Sequence, residues 1–462
     1  MFKNNSLRTP LKGFYKTLFF IAVPIILQNL MQTFVNMLDT IMVGQLGAAE
    51  IAAVGLGNQI FFILNMILFG ISSGGSIFIT QFWGKKDLDG IHKTMGIMLT
   101  FSTIISLVFC IAGLTVPQVL IGFYSKDPVV IAFGAKYLRA VAPSYVIMAL
   151  GFPFQLAFRS TEHVHLPMIC TAVSFAVNAL FNYAFIFGFS FEFFGMRFTV
   201  NGMGVTGAAV ATVIARSLET ALLLIISYAK KFEAAGSVRS FLKFDRYFVY
   251  RFIRIALPVL INETFWGMGI TVENAIFSRM GTDAIAAFNI TGTISQLTWV
   301  FFIGTGNATG IILGKKIGEG KKDETRLYAN RFAWFLPLCA VGIGLLLYPL
   351  SFLLPYLFNV EPHIIKTARH MLYVLICFYP FNAFAMYFIV GFCRAGGDTK
   401  FAAFHDIFWM WTIAIPAGIF AAFVLKLSPP AVYFCLLTEG VLKTFWGLAR
   451  LKSGKWLKDV TE

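Results

Sequence analysis

A duplicated apolar segment constrains the fold of this chain more than any other feature. Ile21-Ala22-Val23-Pro24 returns 234 positions later as Ile255-Ala256-Leu257-Pro258. The same offset relates three further pairs: Asp39/Glu273, Gly70/Gly304 and Gly84/Gly318. An apolar repeat that carries an acidic residue at matching depth is typical of membrane transporters built from two related halves. The repeat therefore predicts two copies of one bundle.

The hydropathy of the chain predicts a membrane protein with many spans. Of its 462 residues, 58% are hydrophobic and only 13% are charged, whereas about a quarter of the residues of soluble domains are charged. A helix needs about 20 apolar residues to cross a bilayer. Twelve stretches meet this need, at roughly 17–43, 51–82, 95–123, 129–158, 166–190, 203–229, 252–280, 284–314, 329–358, 364–393, 401–425 and 430–448. We predict an all-α polytopic protein with twelve transmembrane helices in a lipid bilayer.

The basic residues predict the orientation of these helices. Most of them lie before the first stretch, in the even-numbered loops and after the last stretch. The positive-inside rule places such segments in the cytoplasm. We therefore expect a multi-pass protein of the cell (inner) membrane with both termini in the cytoplasm. Topology and attraction to anionic lipid account for the net charge of +15, so no nucleic-acid partner is expected.

The longest polar interruption, from Lys230 to Arg254, separates the sixth stretch from the seventh. Six spans return the chain to its starting side, so the second copy enters the membrane in the same orientation as the first. This predicts two six-helix lobes related by a pseudo-two-fold axis along the membrane normal. The predicted N-lobe is residues 1–230, the cytoplasmic inter-lobe loop is 231–251, and the C-lobe is 252–462, with a basic cytoplasmic tail.

A polar stripe on the first span contains the leading site candidate, Asp39. A carboxylate inside a membrane is costly unless it is protonated, paired or hydrated, which makes Asp39 a candidate for binding a coupling cation. Gln28, Gln32, Asn36 and Asp39 are spaced by four, four and three positions and share one helix face. We expect this face to line a cavity or another helix. The alternative is that Asp39 is simply solvated at the outer interface.

Other polar residues supply a supporting shell and weaker candidates. Asn178 and Asn182 lie one turn apart in the fifth span and can offer amide oxygens to a cation or hold Asp39, although polar packing between helices is an equal alternative. In the seventh span, Glu263 and Glu273 are further cation-coupling candidates. Four apolar residues are candidates for lining a substrate cleft: Phe265, Trp266, Met268 and Phe288. No metal site is expected beyond a monovalent cation, and no cofactor other than a coupling Na⁺ or H⁺.

Three motifs resemble those of the multidrug and toxic compound extrusion (MATE) family. They are Met37–Gly44 (MLDTIMVG), Gly202–Thr212 (GMGVTGAAVAT) and Arg394–Lys400 (RAGGDTK). The resemblance extends over essentially the whole chain, with the bacterial type indicated and with features of both the NorM-like and the DinF-like branches. It implies an antiporter that exports organic, often cationic, compounds in exchange for Na⁺ or H⁺ while two lobes rock around a central cleft.

The resemblance also carries over to particular residues. Asp39 matches the N-lobe carboxylate on which cation coupling depends in the family. Asn178 and Asn182 match the span-five Asn/Asp pair of the DinF-like branch, with Asn182 at the position of the acid. In the NorM-like branch, spans seven and ten each carry an acid, whereas here the span-seven acids are offset and Asn382 stands near the span-ten position.

Two other functions fit a polytopic chain. A lipid-linked precursor flippase of the same superfamily needs a wide, strongly cationic cleft, and Arg216 is the one basic residue that we place well inside a span. A membrane enzyme acting on lipids needs convergent catalytic groups, and the histidines are scattered over loops and span ends. We therefore expect no enzyme activity. The expected partners are small organic molecules and the bilayer, and the expected state is monomeric.

Overall fold

The computed structural model describes residues 11–193, 196–358 and 360–462, and nearly all of them are helical. The helices of the first half are α1 (Leu11–Gly44), α2 (Ala48–Lys85), α3 (Leu88–Thr115), α4 (Pro117–Gly122), α5 (Pro128–Val141), α6 (Pro143–Ser160), α7 (His165–Phe187), α8 (Val205–Ala229) and α9 (Val238–Phe241). Those of the second half are α10 (Arg246–Met280), α11 (Thr282–Gly318), α12 (Lys322–Leu350), α13 (Leu354–Leu357), α14 (Pro362–Met386), α15 (Thr399–Trp409), α16 (Ile415–Ile419), α17 (Pro429–Leu437) and α18 (Glu439–Ser453).

Many of these helices are long and apolar enough to cross a membrane. Within the described ranges there are eleven such spans, or twelve when α5 and α6 are taken together as one bent span. These two helices meet at an angle of 47°. Pro143 opens α6, and because proline lacks a backbone N–H, the helical hydrogen bonding is interrupted there. The predicted polytopic helical fold is confirmed, and several helices extend beyond the apolar stretches that predicted them.

A short hairpin departs from the all-α prediction. Strands β1 (Gly188–Phe193) and β2 (Met196–Asn201) pair antiparallel, with Gly188 opposite Asn201. The sequence from Phe189 to Phe193 alternates aromatic with polar residues, which is the period-two pattern of a strand. Only residues 188–190 of the hairpin fall within the apolar stretch 166–190, and the rest lies in the connection to the stretch 203–229, for which no strand is predicted.

In the described part of the second half, three π-helical segments widen the helices. They are Tyr387–Cys393 after α14, Met410–Ala414 between α15 and α16, and Phe420–Val424 after α16. A π turn inserts an extra residue into the helix and rotates the face that follows it. The spacing of side chains in this part of the sequence therefore does not follow simple 3.6-residue periodicity.

The described residues group into two compact units. One contains the residues up to Ile26 together with Thr80–Lys86 and Arg254–Glu462; the other contains Leu27–Ile79 and Asp87–Ile253. The core of the second of these units is a continuous apolar cluster that includes Leu64, Leu138 and Tyr145, all without measurable exposure. Its buried residues come mainly from α2, α5 and α8, with single residues from α3, α6 and α7.

The segment between α8 and α10, which the sequence predicts as a loop, packs closely on its own unit. It includes α9, and α10 already begins at Arg246. The backbone of Phe241 lies directly against Gly96 of α3, where a side chain would clash with it. The Glu233 side chain contacts His163 Nε2 at 3.0 Å, and the Glu233 carbonyl oxygen contacts His92 Nε2, also at 3.0 Å.

The ends of α2 and α11 cross with their backbones in contact. A Cβ atom on Gly84 would overlap the carbonyl oxygen of Lys315, and one on Gly318 would overlap the carbonyl oxygen of Gln81. Only glycine permits two helices to approach this closely, and small residues at such crossings are a common device of membrane helix packing. The two glycines are counterparts in the sequence repeat.

We expect Gly84→Ala and Gly318→Ala each to lower the unfolding temperature in detergent, because the obstructing atoms belong to backbone and cannot move aside cheaply. Gly292→Ala, also in α11, is the matched control. Its added methyl would meet nothing within 4 Å, and replacing a helical glycine by alanine stabilises by about 0.5–1 kcal/mol. Thermal unfolding of the three variants checks this. Equal unfolding temperatures for all three would show that the crossing is loose.

The residues after α18 attach to the end of α2 and to the turn before α15. Gln81 accepts a hydrogen bond from the Val460 backbone N–H at 2.8 Å, and Lys85 pairs with Asp459 at 2.9 Å. In that turn, the buried Asp398 pairs with Lys458 of the tail at 2.5 Å and with Arg450 of α18 at 2.8 Å. Burial raises the pKa of the Asp459 carboxyl, but hydrogen bonds from Thr461 and Lys85 outweigh it, and the pKa is lowered. This tail is thus an ordered part of its unit.

Candidate functional site

A polar cavity of about 250 Å³ lies within the unit that contains Leu27–Ile79 and Asp87–Ile253. Helices α1, α2, α6, α7 and α8 contribute its walls. The four polar residues of the stripe on α1 all line it: Gln28, Gln32, Asn36 and Asp39. Asn178 lines it from α7. The structure therefore brings the predicted stripe and one residue of its predicted supporting shell to a single cavity.

Asp39 is held by an amide from α7. The Asn182 Nδ2 donates to Asp39 Oδ1 and also to Asn178 Oδ1, the latter at 3.1 Å. Asn182 has no exposed surface, and its Oδ1 has no hydrogen-bond partner among the described residues. A buried amide oxygen without a partner is rare and calls for a chemical reason. The same amide group is bonded to Asp39 through its nitrogen.

A second polar network occupies another wall of the cavity. The Gln28 Oε1 accepts two hydrogen bonds from Arg159, from Nε at 3.1 Å and from an Nη atom at 2.6 Å. The Gln28 Nε2 donates to Thr171 Oγ1 at 3.0 Å. Thr171 in turn donates to Glu219 Oε1 at 2.6 Å, and Gln155 Nε2 donates to the same oxygen at 3.1 Å. Neutral side chains thus connect a guanidinium group to a carboxylate.

Arg216 of α8 adds a second guanidinium group to the cavity wall. Its Cζ lies 4.1 Å from the centre of the Phe61 ring, a cation–π geometry. One Nη atom reaches Ser144 Oγ at 3.4 Å, a long hydrogen bond. With Asp39, Glu219, Arg159 and Arg216, the cavity is lined by two acidic and two basic groups.

Sequence reasoning missed most of this second network. Arg159 and Glu219 were not predicted as site residues, and Gln155 was not singled out either. Arg159 lies just past the apolar stretch 129–158, where a basic residue is expected at the membrane surface. Glu219 lies one helical turn after Arg216 inside the stretch 203–229. A charged pair at that spacing within a span is the signal that could have identified it.

In the second half, Glu263 is not a free carboxylate. It pairs with Arg394, and the two side chains are 20% and 7% exposed. Arg394 begins the turn before α15, so the pair ties α10 to that turn. Its neighbour Asn262 points elsewhere and donates to Asp406 Oδ2 at 2.6 Å.

Lys443 is the centre of a buried ionic cluster, the Lys443 cluster, formed with Asn262, Asp406 and Glu439. Its Nζ lies 2.7 Å from Asp406 Oδ1 and 2.9 Å from Glu439 Oε1. Lys443 is 4% exposed, and the Glu439 Oε2 is buried without a hydrogen-bond partner in the described parts of the chain. Glu273 lies within electrostatic range of both Glu439 and Lys443. The Lys443 ammonium group thus pairs directly with two carboxylates, those of Asp406 and Glu439.

Lys443 corrects the expectation that Arg216 is the one basic residue well inside a span. Lys443 lies in the candidate span Pro429–Ser453, where its ammonium group is buried rather than extended to the membrane surface. The apolar stretch 430–448 already contained it, but hydropathy does not reveal which face of a helix packs inward.

The four predicted cleft residues have different environments. Phe288 stacks on Phe277 with ring centres 4.4 Å apart, which is a packing contact. Phe265 meets the edge of Trp411 at 5.8 Å and is 37% exposed. Trp266 and Met268 are 37% and 49% exposed. That these four residues line a substrate cleft stays a prediction.

Comparison with known proteins gives consistent matches. The MatE family model matches residues 24–184 and 255–420. The probable multidrug resistance protein YoeA of Bacillus subtilis is 24% identical over 90% of this chain and 88% of its own length. The probable multidrug resistance protein NorM of Thermotoga maritima is 24% identical over 99% of this chain and 96% of its own length.

The solved structures lead to the same fold. The outward-facing conformation of a multidrug resistance MATE family transporter of the MOP superfamily matches with a TM-score of 0.81. The two chains are 20% identical, over 95% of this chain and 96% of that one. The predicted fold class, with its two helical lobes, is confirmed by this likeness.

Proposed function

Because the chain belongs to the MatE family of membrane transporters, and is therefore a multi-pass transporter and not an enzyme, we propose that it is a secondary active antiporter. It exports organic, often cationic, compounds in exchange for Na⁺ or H⁺. Relatives named as multidrug resistance proteins support this choice. The transporter works as a monomer in the cell membrane with both termini in the cytoplasm. Its two lobes, residues 1–230 and 252–462, are joined by the loop 231–251 and expose the binding site alternately to the two sides of the membrane.

The observation that carries the proposal is the placement of Asp39. Its carboxylate lines a cavity inside a bundle of membrane helices and is hydrogen-bonded by a neutral amide, Asn182, with no ion pair to it among the described residues. A proton or a Na⁺ ion neutralises such a group at little cost, because no existing ion pair has to be broken. Glu273 and Glu263 are secondary candidates for the same role in the second half.

Coupling follows from differential binding. If the coupling cation and the substrate favour opposite lobe arrangements, loading one ligand lowers the affinity for the other, and a gradient of the first drives the second outward. Gln32, Asn36 and Asn178 line the same cavity as Asp39 and offer side-chain oxygen atoms to a partly dehydrated cation. The Gln28 oxygen is already hydrogen-bonded by Arg159.

The test is movement of ethidium in vesicles that contain the purified protein, under an imposed Na⁺ gradient or an imposed H⁺ gradient. We expect one gradient to drive ethidium and the other to have little effect, which also identifies the coupling ion. If neither gradient moves ethidium but the protein carries lipid-linked precursors across the bilayer, the alternative function of a flippase replaces the antiporter.

A further inference from the structure

The charges on the wall of the Asp39 cavity are unusual for a site that takes simple organic cations. Asp39 and Glu219 supply two negative charges, and Arg159 and Arg216 supply two positive charges. An organic cation that enters this cavity approaches two guanidinium groups as well as the carboxylates. Like charges in a region of low dielectric constant repel strongly, so the wall does not favour a ligand that carries positive charge alone.

The two guanidinium groups differ in how far they are already satisfied. Arg159 gives two hydrogen bonds to Gln28 Oε1. Within the described ranges, Arg216 makes one hydrogen bond, the 3.4 Å contact to Ser144 Oγ, and lies over the Phe61 ring. No carboxylate among the described residues lies within ion-pair distance of Arg216. A guanidinium group has five N–H donors in a planar fork, so most of the donors of Arg216 remain available.

A guanidinium group with free N–H donors has the geometry to bind a carboxylate. Arginine binds carboxylates through two parallel charge-assisted hydrogen bonds, and a planar aromatic neighbour such as Phe61 fixes the orientation of the fork. The cavity of about 250 Å³ is smaller than the roughly 300–1,000 Å³ of sites that enclose drug-sized ligands. It therefore accommodates one end of a substrate rather than all of it.

We propose that Arg216 selects substrates that carry a carboxylate, so that the Asp39 cavity takes the acidic end of zwitterionic organic molecules in preference to purely cationic ones. The proposal rests on the proposed antiport function and names its substrate class. Arg216 binds the carboxylate of the substrate. Asp39, which lines the same cavity, remains available for the coupling cation or for the positive group of the substrate. A ligand that carries both a positive and a negative group then complements the two acidic and two basic residues that line the cavity.

A matched pair of dyes tests this selectivity. Rhodamine 110 carries a free carboxylate, and rhodamine 123 is its methyl ester, so the two differ at one group. We expect the protein in nanodiscs to bind rhodamine 110 about tenfold more tightly by fluorescence polarisation, which corresponds to about 1.4 kcal/mol. Arg216→Gln removes this preference by weakening rhodamine 110 alone. Arg216→Lys retains part of it, because lysine keeps the charge but loses the fork.

The controls separate this proposal from the function on which it rests. Arg139→Gln, which removes an exposed arginine of α5, leaves both affinities unchanged. Gradient-driven movement of rhodamine 123 in vesicles tests antiport by itself. Equal wild-type affinity for the two dyes, binding of neither dye, or an equal loss of both in Arg216→Gln overturns the proposal. In the last case, Arg216 serves only to balance the charge of Asp39. Unfolding temperatures of both Arg216 variants verify that they are folded.

Discussion

Asp39→Asn is expected to reduce gradient-driven export of ethidium to the level of vesicles without protein. The amide is nearly isosteric with the carboxylate, and it keeps one side-chain oxygen that can accept the hydrogen bond from Asn182 Nδ2. The fold and the volume of the cavity are therefore kept. What is lost is the negative charge that a Na⁺ ion or a proton neutralises, and without it no gradient can be coupled to the substrate.

The measurement is the initial rate of ethidium movement under the gradient that drives the wild type, at equal amounts of reconstituted protein. Asp89→Asn is the matched control, since Asp89 is an exposed acid in the first turn of α3, and it should transport normally. Retained export in Asp39→Asn, with normal export in the control, would assign coupling to other residues, of which Glu273 is the first to examine.

The second large effect is on stability. Lys443→Met removes the cation that, among the residues the structure describes, is bonded directly to both Asp406 and Glu439. Breaking a buried ion pair by removing one partner costs about 3–5 kcal/mol, because the other charge is left buried and uncompensated. We expect this variant to have the lowest unfolding temperature of all the substitutions discussed, and to yield less folded protein in the membrane.

A triple variant shows whether uncompensated charge is the cause. Lys443→Met combined with Asp406→Asn and Glu439→Gln keeps similar volumes and removes all three charges, and replacing a whole buried ionic group by neutral residues is often neutral for stability. The triple variant should therefore unfold at a higher temperature than Lys443→Met alone. Should the triple variant unfold no later than the single one, the size and shape of Lys443, rather than its charge, would account for the effect.

The sequence predicted the features that depend on hydropathy and on repetition. The twelve spans and the two-lobe fold follow from the length of the apolar stretches, and the stripe from Gln28 to Asp39 follows from helical spacing alone. These properties are local or periodic, so one sequence contains them. The sequence of the hairpin at Gly188–Asn201 alternates with the period of two that is typical of strands. A criterion based on apolar stretches of about 20 residues does not detect that alternation.

The remaining site residues depend on which helices pack together. Whether Arg159 faces the turn after α6 or returns to Gln28 of α1 is decided by tertiary contact between positions 131 apart in the sequence. The same is true of Lys443 and Asp406. From hydropathy alone, a charged residue near the end of an apolar stretch is placed at the membrane interface. Its burial becomes predictable only when the residue that pairs with it on another helix is known.

The glycine crossing of α2 and α11 also bears on the ancestry of the chain. The offset between the two copies pairs Gly84 with Gly318 and Gln81 with Lys315. The contacts are Gly84 with Lys315 and Gly318 with Gln81. The contact that Gly84 of the first copy makes with Lys315 of the second is therefore repeated, with the copies exchanged, by Gly318 and Gln81. Such an exchange is the signature of an isologous interface in a two-fold homodimer. The crossing therefore has the form of a subunit contact that a single six-helix protein makes with a second copy of itself, now enclosed within one polypeptide.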